Sequence, residues 1–464
     1  MKKSSKRTVK KAARTPAGKI FQAAKPVIGI RAVHLDLKGV PPTPERLLSF
    51  LDLCAAAKYN AILVEWEDMF PWMVDERFRC ETAYTPAEVK AFISKAKELS
   101  IEIIPLVQCL GHMETVLRWP EYVHLREVPA YNDVINPLAK GARELIERMV
   151  NDVLTLMPDV KYFHLGGEEA WTFGTHPDTK AYIEKHGKGA LYMHHVEPIL
   201  DMLSAKNIRP ILWHDMMTHW EDSALDAIRN KADLCVWGYG EDPRKTKHHF
   251  AVEHIKRFKK HGVAMWAGSA YKGGDGLDKD LPDIERRVSN MQAWTEVARE
   301  YNMKGIIMTA WSRYSTNQMQ VSPIDGALDA FVLGAMIPYE GHTPKDRDTA
   351  AAAVLKKAGE FERFTACRDI LSRLASQRMA GWENVRILRG YIVCAKDDVR
   401  RADSYHAGMH LTHLANHVKH LESIVPEFKE AFIGLIPDLW LDRYLNERIE
   451  PLRDERAAIS AVMK

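Results

Sequence analysis

The stretch that decides the fold is residues 43–66, which read TPERLLSFLDLCAAAKYNAILVEW. Its first three residues, Thr-Pro-Glu, are a typical helix start with proline in the first turn, and the leucines that follow have helical spacing. Its last part, Ala61–Trp66, is a short and almost continuous apolar run, which is typical of a strand buried on both faces. The stretch therefore predicts one helix followed by one strand of a parallel sheet.

The same alternation repeats on both sides of this stretch. The segments 85–100, 138–156 and 191–206 also have helical patterns, and the first of them opens with Thr-Pro-x-Glu. Eight such units over roughly 285 residues match a (β/α)8 TIM barrel, whose usual size is about 250 residues. An open doubly wound sheet is the alternative, but no glycine-rich dinucleotide turn follows the first strand. The eight predicted strands are Val27–His34, Ala61–Trp66, Ile101–Val107, Tyr162–Leu165, Arg209–Trp213, Leu234–Trp237, Val263–Trp266 and Gly305–Ala310.

Two regions flank the predicted barrel, which we place at residues 26–340. Residues 1–25 carry nine Lys or Arg and no acidic residue, so we predict a disordered basic tail there. After about residue 340 the strand signal ends, and residues 341–464 are predicted to form a helical C-terminal region that packs on the barrel or on a partner. The predicted helices of that region are 347–375, 380–403, 405–424 and 427–463.

The composition excludes several classes of function. The net charge is only +3, and the tail carries more positive charge than that, so the rest of the chain lacks the basic signature of a nucleic-acid-binding protein. No run of 18 or more apolar residues occurs, so we expect no membrane span. Six scattered cysteines without a CxxC pair indicate a reducing compartment, and hence a cytoplasmic protein. We expect no cofactor and no metal, and a homodimer remains an open possibility.

The predicted strand ends carry many carboxylates and tryptophans. In a TIM barrel the active site lies at the C-terminal ends of the strands. Tryptophan closes five of the eight predicted strands, at positions 66, 213, 237, 266 and 311. Pyranose rings stack their C–H faces on aromatic planes and present hydroxyls to polar groups at the edge. The sequence therefore predicts a sugar-binding pocket at this end of the barrel.

The fourth predicted strand is followed by Gly-Gly-Glu-Glu. Gly166 and Gly167 allow a sharp backbone turn, which places Glu168 and Glu169 at the mouth of the barrel. Adjacent carboxylates repel each other and separate their pKa values, so one can remain protonated as a general acid while the other is ionised. An exposed acidic loop is the alternative, but the pair follows a buried strand instead of a polar run.

The stretch Tyr162–Trp171, which reads YFHLGGEEAW, resembles the His-x-Gly-Gly-Asp-Glu motif of glycoside hydrolase family 20, the β-N-acetylhexosaminidases. The resemblance is greatest to the hexosaminidase D branch of that family. The matching segments span residues 31 to 314 in the expected order, which is almost the whole predicted barrel. They include 34–39, 105–114, 124–128, 213–216, 269–273 and 305–314.

This resemblance implies an exo-acting, retaining hydrolase that releases a terminal β-linked N-acetylhexosamine, either GalNAc or GlcNAc. In this family the 2-acetamido oxygen of the substrate attacks C1, which gives an oxazolinium intermediate in place of a glycosyl-enzyme. Glu169 would protonate the leaving oxygen and later deprotonate water. Glu168 would hold the acetamide N–H and stabilise the developing positive charge.

The resemblance also implies a set of substrate-binding residues. Trp237, Trp266 and Trp311 would surround the acetamido methyl group. Either Tyr239 or Tyr271 would donate a hydrogen bond to the acetamide oxygen. The other residues that we expect to bind the sugar or support the site are Asp36, Lys38, His112, Glu114, His164, Trp213 and Asp215.

Glu168 departs from the family pattern, because the motif has Asp at this position. A displacement of about 1 Å in an orienting group can cost on the order of 100-fold in rate. Glu168 could instead act as a direct nucleophile on a sugar without a 2-acetamido group, and an inactive carbohydrate-binding relative is a further alternative. A metal-dependent barrel hydrolase or isomerase is the remaining alternative, because several His and carboxylate residues end strands.

Overall fold

Eight parallel strands close into a barrel in a computed structural model that describes residues 20–402 and 404–463. Each strand pairs with the next along the chain, and the first also pairs with the last, so the predicted TIM barrel is confirmed. The strands are β1 (Ile30–Asp36), β2 (Ala61–Glu65), β3 (Glu102–Leu106), β4 (Tyr162–His164), β5 (Arg209–Trp213), β6 (Asp233–Trp237), β7 (Met265–Lys272) and β8 (Gly305–Ala310).

Helices surround the barrel, and the predicted helix starts are present. The Thr43 hydroxyl accepts a hydrogen bond from the N–H of Arg46, and Thr85 forms a capping box with Glu88. The barrel helices are α1 (Pro44–Ala57), α2 (Pro86–Glu98), α3 (Glu114–Leu117), α4 (Ala142–Leu156), α5 (Pro177–His186), α6 (Lys188–Ala205), α7 (Asp222–Ile228), α8 (Val252–Lys260), α9 (Ile284–Glu300) and α10 (Leu328–Glu340). Short 3₁₀ helices lie at Glu67–Met69, Glu76–Phe78, Pro120–Leu125, Asp215–Met217, Ile324–Gly326 and Val399–Ala402.

Alternating strand residues face two separate apolar layers. Side chains such as Ala32, Leu63 and Ile307 fill the barrel interior, whereas Val33, Ile62 and their equivalents pack outward against the helices. Because both faces are buried, the strands have the near-continuous apolar character that identifies them in the sequence.

Two predicted strand boundaries are wrong by three residues or more. Val27 and Ile28 donate their backbone N–H groups to carbonyls at the end of α10, so β1 begins only at Ile30. β7 begins at Met265 and continues to Lys272, six residues beyond the predicted end. Its extra residues include Ala-Gly-Ser-Ala, which has little β-propensity. These small residues suit close packing, since a Cβ at Gly268 would lie 2.8 Å from the Cβ of Trp237.

The C-terminal region is helical, as predicted, but its helices divide the chain differently. The predicted helix 347–375 is wrong because Gly359 has φ +75° and ends α11. The next helix continues without interruption for 35 residues. The helices are α11 (Arg347–Ala358), α12 (Phe361–Ala395), α13 (Tyr405–Ser423), α14 (Val425–Ala431) and α15 (Asp438–Val462).

Helix α15 anchors two loops at the C-terminal end of the barrel. Arg448 is buried and donates a hydrogen bond from Nε to Asp280, in the loop between β7 and α9. Tyr444 donates a hydrogen bond of 2.7 Å to the same carboxylate. One turn further along, Glu447 pairs with Arg313, which follows β8, at 3.0 Å. The C-terminal region therefore helps to shape this end of the barrel.

The chain near residue 20 packs against the end of α10. The N–H groups of Gln22 and Ala23 donate to the Glu340 carboxylate at 2.7 and 2.9 Å. The predicted disordered tail, residues 1–25, otherwise falls on residues 1–19, which lie outside the described residues. The division into a barrel at 26–340 and a helical region at 341–464 remains a prediction. Among the described residues, no helix is long and apolar enough to cross a membrane.

Candidate active site

A pocket of about 160 Å³ opens at the C-terminal ends of the barrel strands. Loops after β3, β4, β7 and β8 form its walls together with residues at the ends of β5 and β6. The structure brings seven of the predicted site residues into its lining: His112, Glu168, Glu169, Trp213, Trp237, Tyr239 and Trp311.

The turn after β4 places the two adjacent carboxylates. Gly166 and Gly167 have φ values of +60° and +84°, which glycine adopts without strain. A Cβ at Gly166 would lie 1.8 Å from Oε1 of Gln108, so the missing side chain also makes room for that amide. Glu169 itself has φ +47°, an uncommon value for a residue with a Cβ. This backbone path brings both Glu168 and Glu169 into the wall of the pocket.

Glu168 is buried, with 3% of its surface exposed. Its Oε1 accepts a hydrogen bond of 2.9 Å from Nε2 of Gln108, whereas its Oε2 has no partner among the described residues. Burial raises the pKa of this carboxyl to about 8, and the charge of His112 opposes that rise. This carboxyl therefore has an unused hydrogen-bond acceptor in the wall of the pocket.

Glu169 lies beside Glu168 and is partly exposed. Its backbone N–H donates to Oδ2 of Asp215 at 2.9 Å, and Oδ1 of the same aspartate accepts a hydrogen bond of 3.1 Å from the Trp237 indole. Burial raises the pKa of Asp215 to about 6. Asp215 thus holds both the turn after β4 and one aromatic wall with a single carboxylate.

His112 lies between the two glutamates. Its Nε2 is 3.3 Å from Oε2 of Glu169 and 3.8 Å from Oε1 of Glu168. Burial lowers the pKa of this imidazole, but the hydrogen bond to Glu169 and the charge of Glu168 outweigh burial and raise it to about 10. His112 is therefore a cation that holds the carboxylates together.

Four aromatic side chains form a large part of the remaining pocket wall. The rings of Trp237 and Tyr239 are stacked with centroids 5.1 Å apart, and Trp213 and Trp311 lie 6.0 Å apart. Tyr239 connects the two pairs, because its ring lies 6.4 Å from that of Trp311. An apolar enclosure beside two carboxylates suits a sugar that carries a methyl-bearing substituent.

The structure contradicts the predicted positions of Trp266 and Tyr271. Trp266 lies at the start of β7, where its indole donates to Asp233 at 3.0 Å and packs against Tyr162. It therefore closes the opposite end of the barrel. Tyr271 lies at the register shift near the end of β7 and packs outward against Phe331 of α10. Trp213 takes the place that we predicted for Trp266, and Tyr239 alone of the two tyrosines lines the pocket.

Three further predicted residues lie beneath the pocket surface. Lys38 is buried between Glu65 and Asp36, with Nζ 2.5 and 3.2 Å from their carboxylate oxygens. Asp36 also accepts a hydrogen bond of 2.7 Å from the N–H of Ser312. His164 is fully buried with its ring 4.3 Å from that of Trp213, and burial lowers its pKa to about 3. These groups support the walls instead of lining them.

Glu114 lines a neighbouring cavity that also contacts Glu169.

Three residues outside the predicted set also belong to the site. Glu65 ends β2 and Gln108 lies two residues beyond β3, and the Gln108 amide donates to both Glu65 and Glu168. The strand-end rule points to both positions. Tyr314 lines the pocket four residues beyond β8.

The described residues offer no set of ligands for the metal-dependent alternative. Within the described ranges, 20–402 and 404–463, no group of three His, Cys, Asp or Glu residues is arranged to hold a metal ion. The strand-end histidines have other partners: His34 lies 3.2 Å from Glu65, and His214 is within hydrogen-bond distance of the carbonyl of His249.

Comparison with known proteins agrees with this geometry. Residues 30–254 match the catalytic domain of glycosyl hydrolase family 20. Hexosaminidase D from Bos taurus is 33% identical over 296 residues, which are 61% of this chain and 85% of the bovine protein. Hexosaminidase D from Homo sapiens is 32% identical over the same number of residues, which are 60% of the human protein.

Solved structures with low sequence identity share the fold. The Flavobacterium johnsoniae chitobiase aligns with a TM-score of 0.56 and 14% identity, over 94% of this chain and 72% of that one. The β-N-acetylhexosaminidase from Bacteroides fragilis aligns with a TM-score of 0.53 and 17% identity, over 73% and 72% of the two chains. The match to the bovine relative, over most of that protein's length, decides the family. The chain belongs to glycosyl hydrolase family 20.

Proposed function

We propose that this protein is an exo-acting, retaining glycoside hydrolase that releases a terminal β-linked N-acetylhexosamine, GlcNAc or GalNAc, by substrate-assisted catalysis. One observation carries the proposal. A single pocket joins a partly exposed carboxylate, Glu169, to a buried carboxyl with an unpartnered oxygen, Glu168, beside an enclosure of aromatic rings. The names of the two hexosaminidase D relatives support the same substrate class.

In the proposed reaction the substrate supplies the nucleophile. The 2-acetamido oxygen attacks C1 while the C1–O bond to the leaving group breaks, and Glu169 donates its proton to the departing oxygen. Glu169 then takes a proton from water, which attacks C1 from the face that the leaving group left. The oxazolinium ring opens, and the configuration at C1 is retained.

The remaining groups hold the acetamide in position. Oε2 of Glu168 accepts the acetamide N–H, which orients the group and stabilises the charge that develops on it. Trp213, Trp237 and Trp311 enclose the methyl group. Tyr239 donates to the acetamide oxygen, which is an assignment that rests on its place in the pocket wall.

A retaining β-glycosidase that uses Glu168 as a direct nucleophile is the second candidate. The longer side chain at the position where the family motif has Asp favours it. The aromatic enclosure beside Glu168 opposes it, because a sugar without a methyl-bearing substituent would leave that enclosure unfilled. We therefore retain the acetamido-assisted reaction as the conclusion.

The test is a panel of 4-nitrophenyl β-glycosides of GlcNAc, GalNAc, Glc and Gal. We expect hydrolysis of an acetamido sugar, inhibition by the matching thiazoline and a strong loss in Glu169→Gln. Preference for Glc or Gal without thiazoline inhibition would support the direct nucleophile instead. Sugar binding without turnover of any member would identify an inactive relative.

We further propose a cytoplasmic location and a carbohydrate substrate, with no membrane and no specific nucleic acid among the partners. All six cysteines are free, and four of them are buried. This pattern supports a reducing compartment. Assembly as a homodimer remains a prediction, which light scattering coupled to size-exclusion chromatography would test.

A further inference from the structure

Five histidines lie on one face of α13 in the C-terminal region. Successive members are four, three, four and three residues apart, which at about 100° per residue keeps them within an arc of about 80°. This arc borders the buried face of the helix, which includes Leu414 and Val418. A quarter of the chain's 20 histidines therefore form one stripe on one helix. The members of this histidine stripe are His406, His410, His413, His417 and His420.

The histidine stripe contains two pairs with the spacing His-x-x-x-His. The first pair is His406 and His410, and the second is His413 and His417. Residues four apart on a helix are neighbours, with Cβ atoms about 5–6 Å apart. Two imidazoles at this spacing can bind the same ion, as the two histidines of a His-Glu-x-x-His helix bind zinc. Each pair therefore offers two nitrogen ligands to one metal ion.

One histidine of the first pair is held by a side-chain amide of α12. Nδ1 of His410 lies 2.8 Å from Oδ1 of Asn384. The amide nitrogen of Asn384 donates to the carbonyl of Ala380, so the oxygen of this amide is the atom that faces His410 and accepts. Nδ1 of His410 therefore carries a proton, and in the neutral ring Nε2 is the unprotonated nitrogen that can bind a metal.

The second pair repeats this arrangement two helical turns further along. Nδ1 of His417 lies 2.8 Å from Oε1 of Gln377. Gln377 and Asn384 are seven residues apart on α12, as are His417 and His410 on α13. A metal-ligating histidine usually makes such a hydrogen bond with its other ring nitrogen, because the bond fixes the tautomer and the ring orientation. Histidines that only solvate a helix face have no need of the same partner in both pairs.

The chemistry of the stripe selects one class of ion. Imidazole nitrogen favours zinc, copper(II) and nickel(II), whereas magnesium and calcium favour oxygen ligands. His406 and His413 are exposed, and His410 and His417 are half-buried, so an ion can reach both pairs from solvent. Among the described residues, no third His, Cys, Asp or Glu is arranged to complete either pair. Water would therefore fill the remaining positions, which makes a bound ion exchangeable.

We propose that α13 carries two exchangeable binding sites for a divalent transition-metal ion, one at His406 and His410 and one at His413 and His417. Asn384 and Gln377 are positioning residues that orient one ligand in each site. The residues that line the candidate active-site pocket all belong to the barrel, so these sites are separate from the proposed hydrolysis, for which we expect no metal.

The test is isothermal titration calorimetry of the full chain, without a histidine tag, with zinc, nickel and magnesium chloride at neutral pH. We expect the wild-type protein to bind two more zinc ions per chain than a variant in which all four ligands are replaced by Gln. His406→Gln with His410→Gln should remove one of these ions, and His413→Gln with His417→Gln should remove the other. Gln377→Met should weaken one site about tenfold, the low end for losing such a partner. Magnesium should give the same trace with the wild-type protein and with the fourfold variant.

His219→Gln with His254→Gln is the matched control. These two rings lie 6.0 Å apart in the barrel region, but the residues are not neighbours on one helix. The control should keep both of the additional zinc ions. An unchanged zinc stoichiometry in the fourfold variant would overturn the sites, and so would magnesium binding as tight as zinc binding. An unchanged affinity in Gln377→Met would overturn the role assigned to the amides.

Discussion

Replacing Gln108 by Met tests how the site accommodates Glu168. In the native site the Gln108 amide donates to Oε1 of Glu168 at 2.9 Å and to Oε1 of Glu65 at 3.1 Å. It therefore ties the turn after β4 to the Glu65–Lys38 ion pair beneath the pocket and leaves Oε2 of Glu168 without a partner. Met has a similar volume but donates no hydrogen bond, so the change releases Glu168 without opening a large cavity.

The expected loss follows from the position of Glu168. A displacement of about 1 Å in an orienting group costs about 100-fold in rate, which corresponds to about 2.7 kcal/mol. We therefore expect kcat/KM for the preferred 4-nitrophenyl N-acetylhexosaminide to fall about 100-fold in Gln108→Met. Loss of the donor also raises the pKa of Glu168 further, so the acid limb of the pH profile moves to higher pH.

A double-mutant cycle shows whether Gln108 acts through Glu168. In a Glu168→Gln background the further loss caused by Gln108→Met should be much smaller, because the carboxylate that it positions is gone. Gln292→Met is the control, since Gln292 donates to Glu296 on α9, away from the pocket. An equal loss in both backgrounds would refute the reasoning and leave Gln108 as a merely structural residue.

Three more predictions concern single residues. His112→Gln should shift the acid limb of kcat/KM to higher pH, because the imidazolium lowers the pKa of Glu168; an unchanged profile would contradict this sign. Tyr239→Phe should lower kcat/KM about tenfold, as expected for the loss of one hydrogen bond, whereas Tyr271→Phe should leave kcat/KM unchanged. Equal effects of the two substitutions would contradict the assignment of Tyr239. Arg448→Met should lower the free energy of unfolding, measured by urea denaturation, by about 3 kcal/mol. This is the low end of the cost of breaking a buried ion pair, because Arg378 still lies 2.9 Å from Asp280 in the variant and compensates part of its charge. The exposed Arg453→Met on the same helix should cost less than about 1 kcal/mol, and a similar cost for both would refute the argument.

The sequence by itself determined the barrel and the glycine turn after its fourth strand. Both depend on local patterns, because a strand buried on two faces is almost continuously apolar and a helix start has its own capping residues. The segment from Tyr162 to Glu169 illustrates this, since an apolar strand followed by two glycines has few other local conformations available. In a TIM barrel the residues that follow the strands meet at one end of the molecule, and this rule predicted the common location of Trp237, His112 and Asp215 from the sequence alone.

Only the tertiary structure decided which of these side chains reach the pocket. We predicted Trp266 at the wrong end of the barrel because the small residues that follow it have little β-propensity, so the sequence does not indicate that β7 continues to Lys272. Tyr271 points outward because a register shift changes the direction of the side chains in that part of the strand. The support that Gln108 gives to Glu168 joins β3 to the turn after β4, and the anchoring of Asp280 by Arg448 joins a barrel loop to α15. Such contacts connect residues far apart in the chain, and no periodicity in the sequence encodes their distance.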